Sequence, residues 1–272
     1  MIIRACAFLL ASLLFVATAR AQTDESGARA MALGGAITAL SEVTSATANP
    51  GSFSQSPQRI ASLFTSQAFG LSELRLGTFD AVVPTSVGHL VVGGRTFGFE
   101  HYRENRFTVG YSRGLSLGTR RSFHVGLTAD YYTLAIPDYG SATALGIGFG
   151  WLTEAIENVQ VGAMAPVNLN GPSFTDAVGL ERSLSVGLAY TASENVLFVL
   201  DAYKESRFPL AVRGGIEYEP VDAIALRWGF TTEPVQYSAG VGVQLAVLHA
   251  DVAGSYHEDL GWSPALALSV FW

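Results

Sequence analysis

The sequence predicts an all-β protein: a transmembrane, antiparallel, up-and-down β-barrel of about fourteen strands that follows a short separate segment. Three observations predict this fold. Apolar residues alternate with small or polar residues from about residue 59 to the C terminus, turn-forming residues interrupt the alternation regularly, and the composition is too apolar for an ordinary soluble domain. Charged residues make up only 14% of the chain, and the mean hydropathy is +0.31.

The first residues are typical of a secretion signal. Arg4 supplies a positive start, and residues 5–17 form an apolar run that is too short to span a bilayer. Small residues at Ala19 and Ala21 form a cleavage site, so we expect residues 1–21 to be removed after Ala21. Cys6, the single cysteine, lies in this segment, and we therefore expect no thiol chemistry in the mature protein.

The alternation from residue 59 onward indicates strands with two unlike faces. In one run, apolar side chains share one face and small or polar ones share the other: Ile224, Leu226, Trp228 and Phe230 against Ala225, Arg227, Gly229 and Thr231. After the signal there is no apolar run long enough for a spanning helix, so a closed barrel is the remaining way to place this chain in lipid. Strands near residues 72–100 alternate poorly, and a miscounted pair there would give twelve strands.

A secreted β-sandwich or propeller would show similar alternation and turn spacing. The low charge and the glycine-rich second face favour the barrel. Aromatic residues near strand ends also favour it, since membrane barrels carry aromatic belts at both interfaces: Trp151, Tyr190, Tyr218, Tyr256 and Trp262. At the C terminus, Leu266, Leu268, Val270 and Trp272 alternate up to a final aromatic residue. This ending resembles the signal by which the barrel-assembly machinery recognises outer-membrane barrels.

Several charged residues fall on the small or polar face of their strands, which we expect to line the lumen: Asp130, Asp201, Arg213, Glu217, Arg227 and Asp251. The simplest prediction is that they pair with one another. If a hairpin turns at Arg207, Asp201 lies directly opposite Arg213. The alternative is that Arg213 or Arg227 recognises a carboxylate that passes through the lumen.

The sequence favours neither an enzyme nor a cofactor-binding protein. The five histidines have no metal-ligand spacing, no local motif selects a nucleophile, and no glycine-rich phosphate loop opens a helix. With 23 acidic and 16 basic residues, the chain is also not expected to bind nucleic acid.

Residues 22–58 are rich in Ala, Ser, Thr and Gly and lack period-two alternation, so we expect a separate periplasmic or lumenal unit before the barrel of residues 59–272. The motif GARAMALGG spans residues 27–35, and Asn49 and Pro50 follow. These elements resemble the N-terminal hatch of the outer-membrane family that joins the long-chain fatty-acid transporters (FadL-like) and the type IX secretion barrels (PorV/PorQ-like). The matching positions are Gly27, Arg29, Leu33, Gly34, Gly35, Ala36, Ala46, Asn49 and Pro50.

The resemblance implies a fourteen-stranded barrel in the outer membrane of a Gram-negative bacterium, and the chain departs from the family pattern at Gly51, where Ala is usual. Without the resemblance, the glycine pair and the Asn-Pro step would be interpreted as ordinary surface turns. The hatch motif, and a chain too short for long outer loops, lead to our first hypothesis: a non-enzymatic barrel of PorV/PorQ-like type that acts in or beside type IX secretion as a docking platform for secretion-system subunits or exported proteins. The alternative is a FadL-like channel that takes up hydrophobic solutes, and a structural barrel without a substrate is the third possibility.

Overall fold

The computed structural model describes residues 27–41, 45–117, 121–169, 183–206 and 208–272. The predicted secretion signal therefore lies outside the described residues, as does Arg207. The described ranges contain four short helices: α1 is Ala28–Ala32, and three 3-10 helices span Pro50–Gln55, Ala68–Gly70 and Ser72–Leu74. None of the helices in the described ranges is long and apolar enough to cross a membrane.

Fourteen antiparallel strands form one closed barrel in which each strand pairs with its neighbours in sequence. The strands are β1 Ile60–Gln67, β2 Arg75–Thr85, β3 Gly88–Phe99, β4 Tyr102–Leu117, β5 Arg121–Ile136, β6 Gly140–Ile156, β7 Val159–Asn168, β8 Ser183–Ser193, β9 Val196–Glu205, β10 Leu210–Val221, β11 Ile224–Thr232, β12 Val235–Leu245, β13 Leu248–His257 and β14 Gly261–Phe271. Pairing of β1 with β14, from Ile60 opposite Phe271 to Ser66 opposite Ala265, closes the barrel. The predicted fold and strand number are confirmed.

The two ends of the barrel differ in the lengths of their connections. We call the end where β1 begins and β14 ends the terminal end. All its connections are short: 86–87, 118–120, 157–158, 194–195, 222–223 and 246–247. The connections with the most residues, 68–74 and 169–182, join strand ends at the opposite end. Because outer-membrane barrels have short periplasmic turns and longer external loops, this asymmetry indicates that the terminal end faces the periplasm.

The outward face of the barrel is apolar. Large side chains such as Leu63, Phe107 and Val252 are more than half exposed to the surroundings. Aromatic pairs lie near both ends of this face. At the terminal end the ring centroids of Phe123 and Trp151 are 5.8 Å apart, and at the opposite end those of Tyr256 and Trp262 are 5.2 Å apart. A face of this kind, with aromatic residues at two levels, suits a bilayer with its two interfaces.

The inward face is more apolar in places than the sequence predicted. Leu76, Val82 and Val91 point inward and are fully buried, and the outward neighbours of Val82 and Val91 on the same strands are also apolar. These inward side chains pack in hydrophobic clusters with residues of the N-terminal segment, such as Leu33 and Phe53. Alternation is weak between residues 72 and 100 because both faces of these strands meet apolar surroundings: lipid outside and packed protein inside.

Candidate functional site: the plugged lumen

The N-terminal segment lies inside the barrel. Its described residues, 27–41 and 45–56, are almost all buried, and we call them the plug. At one end of the plug, α1 packs against β11 to β14, and at its other end the 3-10 helix Pro50–Gln55 packs against β4, β5 and β6. Gly34 lies beside Phe230, near the opposite end of β11, whereas Ser56 contacts His89, next to the terminal end of β3. The plug therefore runs along the lumen from its outer half to its periplasmic end.

A buried ionic cluster holds α1. Arg29 donates two hydrogen bonds to Glu217, from Nη2 at 2.6 Å and from Nε at 2.8 Å. Glu217 also accepts from Arg227 Nε, because these two residues are directly paired across β10 and β11. Arg227 Nη1 lies 2.5 Å from Asp251 Oδ1. The side chains of Glu217 and Arg227 are each only 4% exposed, so the cluster is a desolvated chain of alternating charges.

Two carboxylates of the wall bind backbone N–H groups of the plug. Thr38 N donates to Asp201 Oδ2 at 2.9 Å, and Ala46 N donates to Asp80 Oδ1 at 3.0 Å. Beside the first contact, the hydroxyls of Thr38 and Ser185 are 2.5 Å apart. Sequence reasoning missed Asp80, which lies in the poorly alternating region. It would have been found as an acidic residue at an inward position of β2, where its register partner is a glycine, Gly93.

Asn49 fixes the second half of the plug. Its side chain is fully buried and makes three hydrogen bonds: Nδ2 donates to Thr38 O at 2.6 Å and to Trp151 O at 2.9 Å, and Oδ1 accepts from Gly51 N at 3.0 Å. This one side chain therefore joins two parts of the plug to the wall. Pro50 begins the 3-10 helix and has no N–H group that would need a partner there.

We expect Asn49→Ala to lower the free energy of unfolding by about 3 kcal/mol, because buried donor and acceptor groups lose their partners. Guanidinium unfolding of the refolded protein in detergent would measure this loss. Asn105→Ala is the matched control, since Asn105 is an outward residue that donates to Thr133 at 3.3 Å and touches no part of the plug. A loss for Asn49→Ala no larger than that for Asn105→Ala would contradict this role.

Inward glycines make room for the plug. A Cβ on Gly229 would lie 2.2 Å from Gly34 N, and a Cβ on Gly126 would lie 2.2 Å from Pro50 O. A Cβ on each of five further inward glycines would lie between 2.1 and 2.9 Å from the nearest plug atom: Gly150, Gly162, Gly187, Gly215 and Gly240. Within the plug, Gly34 has φ +67°, and its Cβ position is only 2.3 Å from Phe230 O. The glycine-rich second face is thus where the wall approaches the plug backbone most closely.

The C-terminal end of the plug contacts two histidines of the wall. Ser54 Oγ lies 2.7 Å from His124 Nδ1, and Ser56 O lies 2.8 Å from His89 Nε2. Among the described residues, no three His, Cys, Asp or Glu side chains come together as metal ligands would.

At the opposite end of the lumen, arginines lie against aromatic rings; we call this part of the wall the vestibule. Arg213 Cζ is 3.9 Å from the ring centroid of Tyr203, and Arg106 Cζ is 5.8 Å from that of Tyr132. Three of the predicted lumenal charges lie on these strands, in two separate groups. Arg213 is in register with Asp201, whose carboxylate binds the plug, and Asp130 accepts a hydrogen bond from Thr108 at 2.5 Å and lies 4.0 Å from Arg106. The vestibule combines flat apolar surfaces with cationic groups.

The other predicted residues are placed as follows. Gly27 precedes α1, and Gly35 N donates to Ala30 O at 2.9 Å as that helix ends. Leu268 and Val270 point outward from β14, and the backbone of Trp272 exchanges hydrogen bonds with that of Arg59, at 3.0 and 3.1 Å. The C-terminal strand therefore lies at the seam that closes the barrel.

Comparison with solved structures gives the same architecture. The toluene transporter TodX of Pseudomonas putida matches with a TM-score of 0.63 and 11% identity, over 92% of this chain and 99% of the other. The toluene transporter TbuX of Ralstonia pickettii matches with a TM-score of 0.63 and 11% identity, over 91% of this chain and 97% of the other. A FadL homologue of Pseudomonas aeruginosa matches with a TM-score of 0.58 and 11% identity, over 92% of this chain and 98% of the other. The sequence matches no protein-family model and no curated protein.

The chain has the fold of the FadL-like outer-membrane barrels. At 11% identity this likeness concerns the fold alone. None of the three proteins just named is a secretion component, so the predicted docking role has no support from these structures.

Proposed function

We propose that the protein is an outer-membrane channel for hydrophobic solutes, closed in this conformation by its own N-terminal plug. The observation that carries the proposal is the way the lumen is closed. Wall side chains alone do not fill the lumen; glycines leave space in it, and a separate segment of chain occupies that space and is held by a few polar anchors. A segment held in this way can leave while the barrel, whose hydrogen bonds run between strands, stays closed on itself.

The anchors suit an element that moves. They are the bidentate pair of Arg29 with Glu217, the backbone contacts of Asp201 and Asp80, and the hydrogen bonds of Asn49. Each joins the plug to a different part of the wall, and none is covalent. The transporters with the same fold carry hydrophobic compounds, as their names state for toluene. The vestibule, where Arg213 lies over Tyr203, offers an entering solute both an aromatic surface and a cation.

The docking platform of the PorV/PorQ-like type stays a second candidate because one observation favours it. Apart from 68–74 and 169–182, the connections at the opposite end contain two to four residues. Such short connections provide little material for an external capture domain, which favours a role in docking another protein. Type IX secretion itself has no support beyond the sequence resemblance.

We expect Arg29→Ala to raise solute uptake several-fold, because α1 loses both hydrogen bonds to Glu217 while Glu217 keeps its pairing with Arg227. The measurement is uptake of labelled toluene and of a labelled long-chain fatty acid by Gram-negative cells that lack their own channel for these compounds and express the full chain. Arg113→Ala, which removes an outward, exposed arginine from β4, is the control. If neither the unaltered chain nor Arg29→Ala exceeds cells without the protein, the channel proposal fails and docking becomes the better explanation.

A further inference from the structure

A groove of about 600 Å³ lies on the outward face of the barrel, across β14, β1, β2, β3 and β4. It exists because two outward positions on adjacent strands, Gly77 and Gly94, carry no side chain. Apolar side chains form its walls: Leu63, Phe79, Phe107, Leu266 and Leu268. Its volume falls in the range of roughly 300–1,000 Å³ that is usual for small-molecule sites. Since this face contacts lipid, the natural occupant of the groove is a hydrocarbon chain.

A row of three polar residues and one glycine bounds the groove on the side of the opposite end. Thr65, Gly77, Thr96 and Asn105 are register partners across four strands and form one outward row. Two residues farther along the strands, which is about 7 Å, lie Arg75 on β2 and Arg103 on β4, on either side of Gly98. The groove is therefore apolar toward the middle of the membrane and cationic toward its external interface.

Arg75 and Arg103 are both exposed. Neither guanidinium forms a hydrogen bond or ion pair with another described residue. Two acidic residues are close in the chain: Glu73, which accepts a hydrogen bond from Ser72, and the exposed Glu100 in the turn between β3 and β4. Arginine binds phosphate through a planar fork of donors, and a pair of unpaired arginines on an acidic protein (net charge −7) favours an anionic partner from outside the chain.

We infer that this surface binds a phosphorylated glycolipid of the outer leaflet, with one acyl chain in the groove and two headgroup phosphates on Arg75 and Arg103. The spacing of the arginines selects this class of lipid. Two strand spacings separate β2 from β4, which is about 10 Å, so a headgroup with two separate phosphates reaches both guanidinium groups. A glycerophospholipid with a single phosphate reaches one of them at a time. The inference uses the outward face alone and is independent of whether the lumen conducts a solute.

The test is native mass spectrometry of the full chain in detergent, titrated with three probes: lipid A with two phosphates, its monophosphorylated form, and dioleoyl phosphatidylglycerol. We expect the protein to retain most of the lipid A with two phosphates, less of the monophosphorylated form and least of the phosphatidylglycerol. The combined variant R75S/R103S should bind the first probe about tenfold more weakly, since it loses charge-assisted hydrogen bonds. Gly94→Leu should also weaken binding, because its side chain fills the groove. A Cβ at Gly94 meets no atom within 4 Å, so this variant is compatible with the fold.

Arg113→Ser is the matched control, because Arg113 is an exposed outward arginine of the same strand as Arg103 but lies away from the groove. Its binding of lipid A should equal that of the unaltered chain. Three results would overturn the inference: no retained lipid A, equal loss in Arg113→Ser and R75S/R103S, or equal retention of phosphatidylglycerol and lipid A. Retention that survives R75S/R103S but not Gly94→Leu would also overturn it, since the headgroup would then play no part.

Discussion

Glu217→Ala should lower the free energy of unfolding by about 3 kcal/mol, the lower part of the range for breaking a buried ion pair. Arg227 then stays buried with Asp251 as its only carboxylate partner, and Arg29 loses both of its hydrogen bonds to the wall. Guanidinium unfolding in detergent measures the loss. Because α1 is released by the same change, uptake of labelled toluene by cells should rise at least as much as with Arg29→Ala.

Two further variants give this prediction its control. Glu104→Ala removes another lumenal carboxylate, which Arg95 contacts at 3.3 Å and which touches no plug residue, so it should leave uptake unchanged. Glu217→Gln keeps the hydrogen-bonding shape without the charge and should fall between Glu217→Ala and the unaltered chain. Equal uptake for Glu217→Ala and Glu104→Ala would show that the ionic cluster does not hold the plug.

The outward face was predictable from sequence because its surroundings are uniform. Lipid surrounds the middle of the outward face, so residues such as Trp228 and Phe230 on β11 follow a strict period of two. The same argument gives the strand number, since each turn interrupts the same pattern. The inward face follows no such rule where the plug packs against it. There, the residue at each position depends on which part of another segment it meets.

Most residues of the candidate site could be predicted from the sequence, but the contacts between them could not. Glu217 and Arg227 were expected on the inward face, yet their shared partner Arg29 is 188 positions from Glu217 in the chain. Asn49 was selected by the hatch motif, whereas its bond to Trp151 O spans 102 positions. Asp201 does lie in register with Arg213, as expected, but the carboxylate binds Thr38 N of the plug. Sequence patterns assign a residue to one face of a strand, but they do not specify how the plug runs through the lumen.

The second large effect is expected from Gly229→Ala. The added methyl group would lie 2.2 Å from Gly34 N and 2.3 Å from Leu33 C, and both are backbone atoms that cannot rotate away. The wall is fixed on this side by pairing of β11 with β10 and β12, so the plug must move. We expect a loss of about 3 kcal/mol, at the upper end of what overpacking usually costs. Gly94→Ala is the control, because its methyl group meets no atom within 4 Å.

Displacement of the plug can be observed separately from the loss of stability. If Gly229→Ala moves the end of α1, trypsin should cleave after Arg29 faster than in Gly94→Ala, while the β-sheet signal in circular dichroism stays the same. Equal cleavage rates and equal unfolding midpoints for the two variants would contradict the close approach of β11 to the plug.

Combining Gly229→Ala with Glu217→Ala tests whether the plug is held as one unit. Both changes release the same turn of the plug, so their effects on stability should sum to less than the two single losses. Full additivity would instead mean that the glycine and the ionic cluster hold separate parts of the molecule, and that the plug does not leave as one unit.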